Sequence, residues 1–349
     1  MSRIELKDYI LNNRKKLVDK IMEQQMKLMP ELKEKYNSAM IQKSRSDTSY
    51  NLNYLAQAVY INEKNIFSNY YSWLFTVLKE RGMGRELLEK HLIAIKKVMR
   101  EEVSKEDFNI ILEIINAADK SLNNPDNYYK SFIRDDNYLS EEAEQYLLFL
   151  TNMEREKAVE YILDLVEKGI SIEDVYLKIF QNVQYEIGRL WQLNEISIAQ
   201  EHYATSITQL IMSQLYPKIF TSYKKGKKSL TTCIGDELHE LGIRMVADLL
   251  ELNGWDTIHL GSNTPAAEIL NILEDKKIDL LAISVTLPDQ LEESKDLISA
   301  VRKNEKLSQL KIIVGGKLFM QNDNLWQKIG ADGFARDAKE AVKVADSLL

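Results

Sequence analysis

The chain has 349 residues, of which 28% are charged and 45% hydrophobic, with a net charge of −7 and a single cysteine, Cys233. That length gives two or three domains, each able to bury a core, and the composition excludes a disordered or collagen-like chain. No apolar run reaches the roughly 18 residues of a membrane span, the first twenty residues carry no signal-peptide pattern, and one cysteine excludes a disulfide framework or a Cys-rich zinc site. A cytoplasmic protein without membrane association is the expectation.

Residues 1–122 read as five or six helices. Apolar positions recur at helical spacing through Ile66, Tyr70, Trp73, Leu74 and Val77. Pro30 and the pair Gly82/Gly84 mark helix ends. The aromatic run Tyr60, Phe67, Tyr70, Tyr71, Trp73 and Phe75 reads as helical core rather than a pocket for a flat chromophore. His91 reads as a helix-face residue. The mild basic excess of this part is too mixed with acids to make a nucleic-acid surface. The breaker cluster Ser121–Asn124 with Pro125 and Asp126 ends it.

Four further helices are expected from Tyr138 to Phe220. Ser171 with Glu173 and Asp174 opens one, with acids suited to its first turn. Ser197 followed by Gln200 forms a capping-box pattern that opens the last. The stretch Tyr223–Lys228, basic and containing Gly226, reads as a linker.

Nine of the 13 glycines lie between Gly226 and Gly333, as expected where strands and helices alternate through tight turns. Apolar stretches Leu230–Ile234, Trp255–Leu260, Leu280–Val285, Leu310–Val314 and Gly333–Ala335 read as strands. Amphipathic segments near 240–253, 265–275, 288–305 and 323–329, and a last helix to Leu349, lie between or after them. Five alternating strands imply a doubly wound parallel sheet, which binds ligands outside the carboxyl ends of its strands.

The loop after the first of these strands runs Gly235-Asp236-Glu237-Leu238-His239-Glu240-Leu241-Gly242. In an extended loop Glu237 and His239 point to one side. A carboxylate on one ring nitrogen leaves the other free for a metal, and Gly242 permits close approach of a bulky ligand. By spacing alone, a surface histidine beside acids is the commoner explanation.

This segment resembles the cobalamin-binding domain of methionine synthase, cobalamin-dependent mutases and corrinoid proteins, whose motif is Asp-x-His-x-x-Gly; here Glu237 stands at the Asp position. Ser284-Val285-Thr286 after the third strand and Gly315-Gly316 after the fourth are similar to the family's elements around the buried nucleotide tail. The resemblance implies a flavodoxin-like cobalamin domain at 229–349, with His239 as lower cobalt ligand and Glu237, Leu238, Gly242, Ser284, Thr286, Gly315 and Gly316 against the cofactor. It also implies a four-helix cap at 138–222, giving an α plus α/β chain whose N-terminal helical bundle occupies 1–122.

Within the cap, Trp191 is followed after nine residues by Glu201-His202. With Ile187-Gly188-Arg189-Leu190, this resembles the CarH-type photoreceptors that bind 5′-deoxyadenosylcobalamin. That likeness implies Trp191 over the adenosyl group, Glu201 as its hydrogen-bond acceptor and His202 as upper cobalt ligand after light. The physical logic agrees: adenosyl needs an apolar wall and an acceptor, and a neutral imidazole can take a metal that loses its carbon ligand. By the residues alone, Trp191 could be core and Glu201-His202 a polar helix start. Two of the four histidines thus fall at cobalt-facing positions; His259, in the second strand, is expected to be structural.

Residues 1–122 lack the winged-helix pattern of such repressors, so direct DNA binding is not expected. The leading expectation is a non-enzymatic, light-responsive cobalamin protein, acting as a homo-oligomer or on a downstream signalling protein. The alternative is a corrinoid carrier of a methyltransferase system; a third is an interaction scaffold that keeps the fold without cobalamin.

Overall fold

The computed structural model describes residues 1–123, 129–220, 223–235, 239–322 and 324–349. The chain divides into two compact units, Met1–Tyr128 and Tyr129–Leu349. The breaker residues 124–126 of the sequence lie outside the described residues.

The first unit is helical: α1 (Arg3–Asn12), α2 (Arg14–Leu28), α3 (Leu32–Lys35), α4 (Ser38–Ile61), α5 (Asn65–Lys79), α6 (Arg85–Glu102) and α7 (Lys105–Ser121). One more helix than expected arises because only Asn13 separates α1 from α2, and because α3 is a single turn after Pro30. Side chains of Ser2, Asn37 and Ser104 cap α1, α4 and α7, supplying acceptors to backbone N–H groups that a helix start leaves open. Phe67 and Tyr71 are buried, whereas Trp73 and Phe75 are only half-buried, so the aromatic run is core on one face of α5. His91 lies on the inward face of its helix. It is buried in α6, with Nδ1 2.8 Å from Gln25 Oε1 and Nε2 3.2 Å from Asn51 Nδ2. Burial lowers its pKa to about 4, which keeps the ring neutral.

The second unit begins with helices. These are α8 (Ser140–Thr151), α9 (Arg155–Glu167), α10 (Ile172–Asp174) continuing through a π-helical segment (Val175–Phe180) into α11 (Gln181–Gln192), and α12 (Ile198–Leu215). Ser171 and Ser197 cap α10 and α12 as their sequence patterns predict. The sheet follows, with strands β1 (Lys228–Cys233), β2 (Asp256–Gly261), β3 (Leu280–Ser284), β4 (Lys311–Gly315) and β5 (Gly333–Ala335). Its helices are α13 (Leu241–Leu252), α14 (Ala266–Lys276), α15 (Gln290–Lys303), α16 (Lys317–Met320), α17 (Leu325–Lys328) and α18 (Ala338–Leu348). All pairings are parallel, in the order β2-β1-β3-β4-β5. This is the flavodoxin-like doubly wound sheet expected from the sequence.

Burial explains how legible the strands were. Every residue of the central strand β3 is buried, so it reads as an unbroken apolar run. Trp255, expected to open the second strand, lies just before β2. Its N–H returns to Leu250 O (3.1 Å) and its indole N–H donates to Asp346 Oδ1 (3.1 Å). The helices that precede the sheet share one hydrophobic cluster with α13 and α18, through Tyr176, Phe180, Ile211, Leu249, Trp255 and Ala341 among others. They therefore pack on the α13/α18 face rather than forming a detached domain.

Candidate functional site

In this sheet the strand order reverses between β1 and β3, which are paired neighbours. The chain leaving β1 turns towards β2, while the chain leaving β3 turns the other way to β4. The diverging loops leave a crevice at the carboxyl edge. Register aligns Cys233, Ser284 and Gly315 as one row along that edge. The sequence-predicted loop, the Ser284–Thr286 element and the glycine pair are therefore brought to one side of the sheet.

The first loop leaves β1 through Gly235, whose φ is +61° and where a Cβ would lie 2.6 Å from Glu293 Oε2. Asp236, Glu237 and Leu238 lie outside the described residues, and with them the expected Glu237–His239 pairing. His239 is exposed and stands immediately before Glu240, the residue that caps α13. At Gly242 an added Cβ would meet nothing within 4 Å among the described residues.

Ser284 closes β3 and is buried. The turn after it is held by Gln290, whose Oε1 accepts from the N–H groups of Thr286 (3.3 Å) and Leu287 (3.1 Å). Gly316 has φ +103°, and a Cβ there would sit 2.3 Å from Val285 O. Val285 N–H donates to Gly315 O at 3.0 Å. The glycine pair thus lets the ends of β3 and β4 approach backbone to backbone.

On the cap, α11 ends at Trp191 and Gln192, and a left-handed Asn194 (φ 60°) turns the chain towards α12. Trp191 is half-buried. His202 is 72% exposed and its Nδ1 lies 2.6 Å from Glu201 Oε2, which leaves Nε2 at the outer side of the ring. Thr205 Oγ1 donates to Glu201 Oε1 (3.4 Å) or Gln184 Oε1 (3.2 Å), and Gln184 reaches Thr208 (2.8 Å), which meets Tyr146 OH (2.9 Å). A polar chain therefore runs from the Glu201–His202 pair into the cap core. Arg189 is locked to Glu186 at 2.6 Å. Burial raises the Glu186 pKa, but hydrogen bonds from Arg189 and the Phe132 N–H outweigh it and hold the carboxyl below its ordinary value.

Two contacts fix how α12 lies on the sheet domain. Gln209 Nε2 donates to Glu240 Oε1 (3.0 Å), and Arg244 Nη2 donates to Ser213 Oγ (2.8 Å). Both partners advance by four residues, so α12 and α13 run parallel. The part of α12 before Gln209 consequently projects past the carboxyl edge. His202, seven residues earlier, stands about 10 Å further out at the helical rise. His239 and His202 thus belong to the same end of the molecule.

Sequence reasoning missed Gln209, Glu240, Tyr176 and Asp248. Gln209 falls two helical turns after His202, a spacing that marked it as a same-face neighbour. Nothing in the sequence pattern marked the other contact, in which Tyr176 OH donates to Asp248 Oδ2 at 2.8 Å. Asp248 is 5% exposed. Burial pushes its pKa up to about 6, with Tyr176 and Arg244 pulling it back and Glu251 adding to the rise. It borders a cavity of about 270 Å³ shared with Arg244, Glu251 and His259. That cavity lies along α13, away from the carboxyl edge. His259 sits in β2 with Nδ1 2.9 Å from Thr231 Oγ1.

Among the described residues no group of three or more His, Cys, Asp or Glu is placed to hold a metal ion. A lone exposed imidazole suits a metal whose remaining positions are filled by another ligand, as a macrocycle fills them. No helix of the described residues is long and apolar enough to cross a membrane.

Comparison with known proteins agrees with this geometry. Residues 227–343 match the family model described as the B12 binding domain, and residues 142–216 match a second model with the same description. The helical cap and the parallel-sheet domain together form a cobalamin-binding module. Its relatives include the dimethylamine corrinoid protein of Methanosarcina barkeri, 26% identical over 53% of this chain and 83% of that protein. A corrinoid protein of Desulfitobacterium hafniense is 26% identical over 56% of this chain and 88% of that protein. The methionine synthase of Mycobacterium tuberculosis is 28% identical over 36% of this chain and 11% of its own length. The solved monomethylamine corrinoid protein of Methanosarcina barkeri shares the fold, with a TM-score of 0.55 and 21% identity over 60% of this chain and all of that one. The corrinoid proteins among these relatives belong to the class that stood as the alternative to a photoreceptor.

The residues present fit a corrin. His239 is exposed at the switch point, no atom of the described residues would crowd a side chain at Gly242, and α12 overhangs the same edge.

Proposed function

We propose that this chain is a corrinoid carrier: a non-enzymatic protein that holds cobalamin and presents it to a methyltransferase. The reading is carried by one observation, the exposed His239 at the switch-point edge beneath a cap helix that overhangs it. It is supported by corrinoid relatives that match through both the cap and the sheet domain. Bound cobalamin supplies a cobalt–carbon bond that can be made and broken. His239 holds the lower face through an imidazole nitrogen. Ser284, Thr286, Gly315 and Gly316 line the way for the nucleotide tail, and Glu237 and Leu238 complete the loop. Trp191 and the exposed Glu201–His202 pair face the upper side. Residues 1–128 form a separate module that cofactor binding does not require.

One observation favours a second reading, a light-responsive adenosylcobalamin protein. The Glu201–His202 pair is pre-arranged on the overhanging helix, with Nδ1 of the exposed His202 2.6 Å from Glu201 Oε2. In that reading Trp191 packs on the adenosyl group and His202 takes its place after photolysis. Absorption spectra separate the two. A carrier loaded with methylcobalamin transfers its methyl group to a thiol acceptor when a methyltransferase is added, and its adenosyl form gives no lasting bis-histidine product after green light. A lasting bis-histidine spectrum that His202→Ala abolishes would establish the sensor instead.

A further inference from the structure

Glu240 stands where three elements meet. It is the cap residue of α13 and follows His239 directly. Its Oε1 accepts from Gln209 on α12 at 3.0 Å. Its Oε2 lies 3.3 Å from where a Cβ would sit on Gly261, the last residue of β2, whose φ is +74°. A carboxylate at a helix start is favoured by the helix dipole, and an amide N–H to a carboxylate is a charge-assisted bond. The Gln209–Glu240 bond therefore joins the overhanging helix to the residue beside His239.

We infer that Gln209 and Glu240 are positioning residues that couple the seat of the cap to the loop bearing His239, so that lower-face coordination and cap closure are set together. This rests on the reading of His239 as the lower cobalt ligand. Two geometric facts make the coupling specific. The second rung, Ser213–Arg244, lies one helical turn further from the loop and fixes the helices without touching it. Glu240 is also the first described residue after His239, so a change at its side chain acts on the loop with no intervening residue. A cap helix that lifts carries Gln209 away and frees the first turn of α13; a seated helix holds it.

The test uses the full chain and four variants: Gln209→Leu, Gln209→Glu, Glu240→Gln, and the exchange Gln209→Glu with Glu240→Gln. The exchange restores one amide–carboxylate bond with donor and acceptor reversed. Two measurements are made. Amide hydrogen exchange of residues 239–244 is followed without cofactor. With bound cob(II)alamin, electron paramagnetic resonance gives the ratio of histidine-coordinated to uncoordinated cobalt. Gln209→Leu and Gln209→Glu should each speed exchange and lower the ratio about tenfold, the scale of a lost hydrogen bond to a charged group. The exchanged pair should recover most of both. Unchanged exchange in Gln209→Leu, or no recovery in the exchanged pair relative to Gln209→Glu, would overturn the coupling. A wild-type spectrum without histidine nitrogen would overturn the His239 reading instead, and the exchange measurement would still decide whether Gln209 holds the loop.

Discussion

The two compact units each keep a titratable side chain out of water, and they do so with opposite consequences. In the first unit His91 is buried between two amides, Gln25 and Asn51, with no charge to pair with. In the second, Asp248 is buried under Tyr176 where the cap meets α13. Burial disfavours the charged form in both cases, so the histidine pKa falls to about 4 and the aspartate pKa rises to about 6. The first unit thus holds its buried histidine between neutral amides. The second contains a carboxylate held at the seam between two parts that must stay together around a cofactor.

The largest expected effect separates the units by their cores. Trp255 is 1% exposed and hydrogen-bonded to Asp346. Trp255→Ala should cost about 4 kcal/mol, and amide exchange should report the loss in residues 129–349 while residues 1–128 keep wild-type protection. Equal loss in both parts would break the division into two units.

The pH responses come next and have opposite signs. His91 has a depressed folded pKa. Its contribution is present above the unfolded value of 6.5 and is lost as pH falls towards about 4. Between pH 6.5 and 5 the first unit should lose about 2 kcal/mol from this group. His91→Gln keeps a donor and an acceptor for Gln25 and Asn51, and its denaturation curves should lack that slope. Asp248 has a raised folded pKa. Its contribution is present below 3.8 and is lost as pH rises through about 6. Asp248→Asn retains an acceptor for Tyr176 and should stabilise the second unit at pH 7 by on the order of 2 kcal/mol, a gain that shrinks as pH falls from about 6 and is gone below about 4. A gain that does not vary with pH would show that packing, not charge, is responsible.

The smallest effect sharpens the picture of the first core. Gln57 is 2% exposed and its Oε1 has no hydrogen-bond partner among the described residues. Replacing a buried orphan acceptor with an apolar side chain removes a desolvation cost. Gln57→Leu should leave the first unit as stable as wild type or raise it by about 1 kcal/mol in urea denaturation. A clear loss would mean that the amide has a partner of its own.

The same comparison explains what the sequence made legible. The strands were readable because β3 and β4 lie inside a parallel sheet and carry the apolar runs Leu280–Ile283 and Ile312–Val314, the second closed by Gly315. The capping residues Ser171 and Ser197 were readable because a helix start needs a side-chain acceptor at a fixed spacing. His239 and His202, expected from their motifs to face cobalt, lie at one end of the second unit. Contacts between elements far apart in sequence were not readable. His91 was legible as a helix-face residue, but not as a buried one, because its partners, Gln25 and Asn51, lie 66 and 40 residues away. Tyr176–Asp248 spans 72 residues. Helical periodicity treats Asp248 as an acid on a helix and cannot reveal that its side faces the cap. Nor did the sequence show where the second unit starts. Phe132 N–H donates to Glu186 Oε2 at 2.9 Å and Asn137 Nδ2 donates to Lys178 O at 2.8 Å. A fragment meant to bind cofactor should therefore begin at residue 129 rather than 137.

The most direct test is the electron paramagnetic resonance spectrum of cob(II)alamin bound to the full chain, prepared with natural-abundance histidine and with ¹⁵N-histidine. Coordination by His239 predicts splitting from a single ¹⁴N that becomes a ¹⁵N doublet on labelling and disappears in His239→Ala. Splitting that is unaffected by the label, and so comes from the cofactor's own base, would contradict a cobalt ligand at His239.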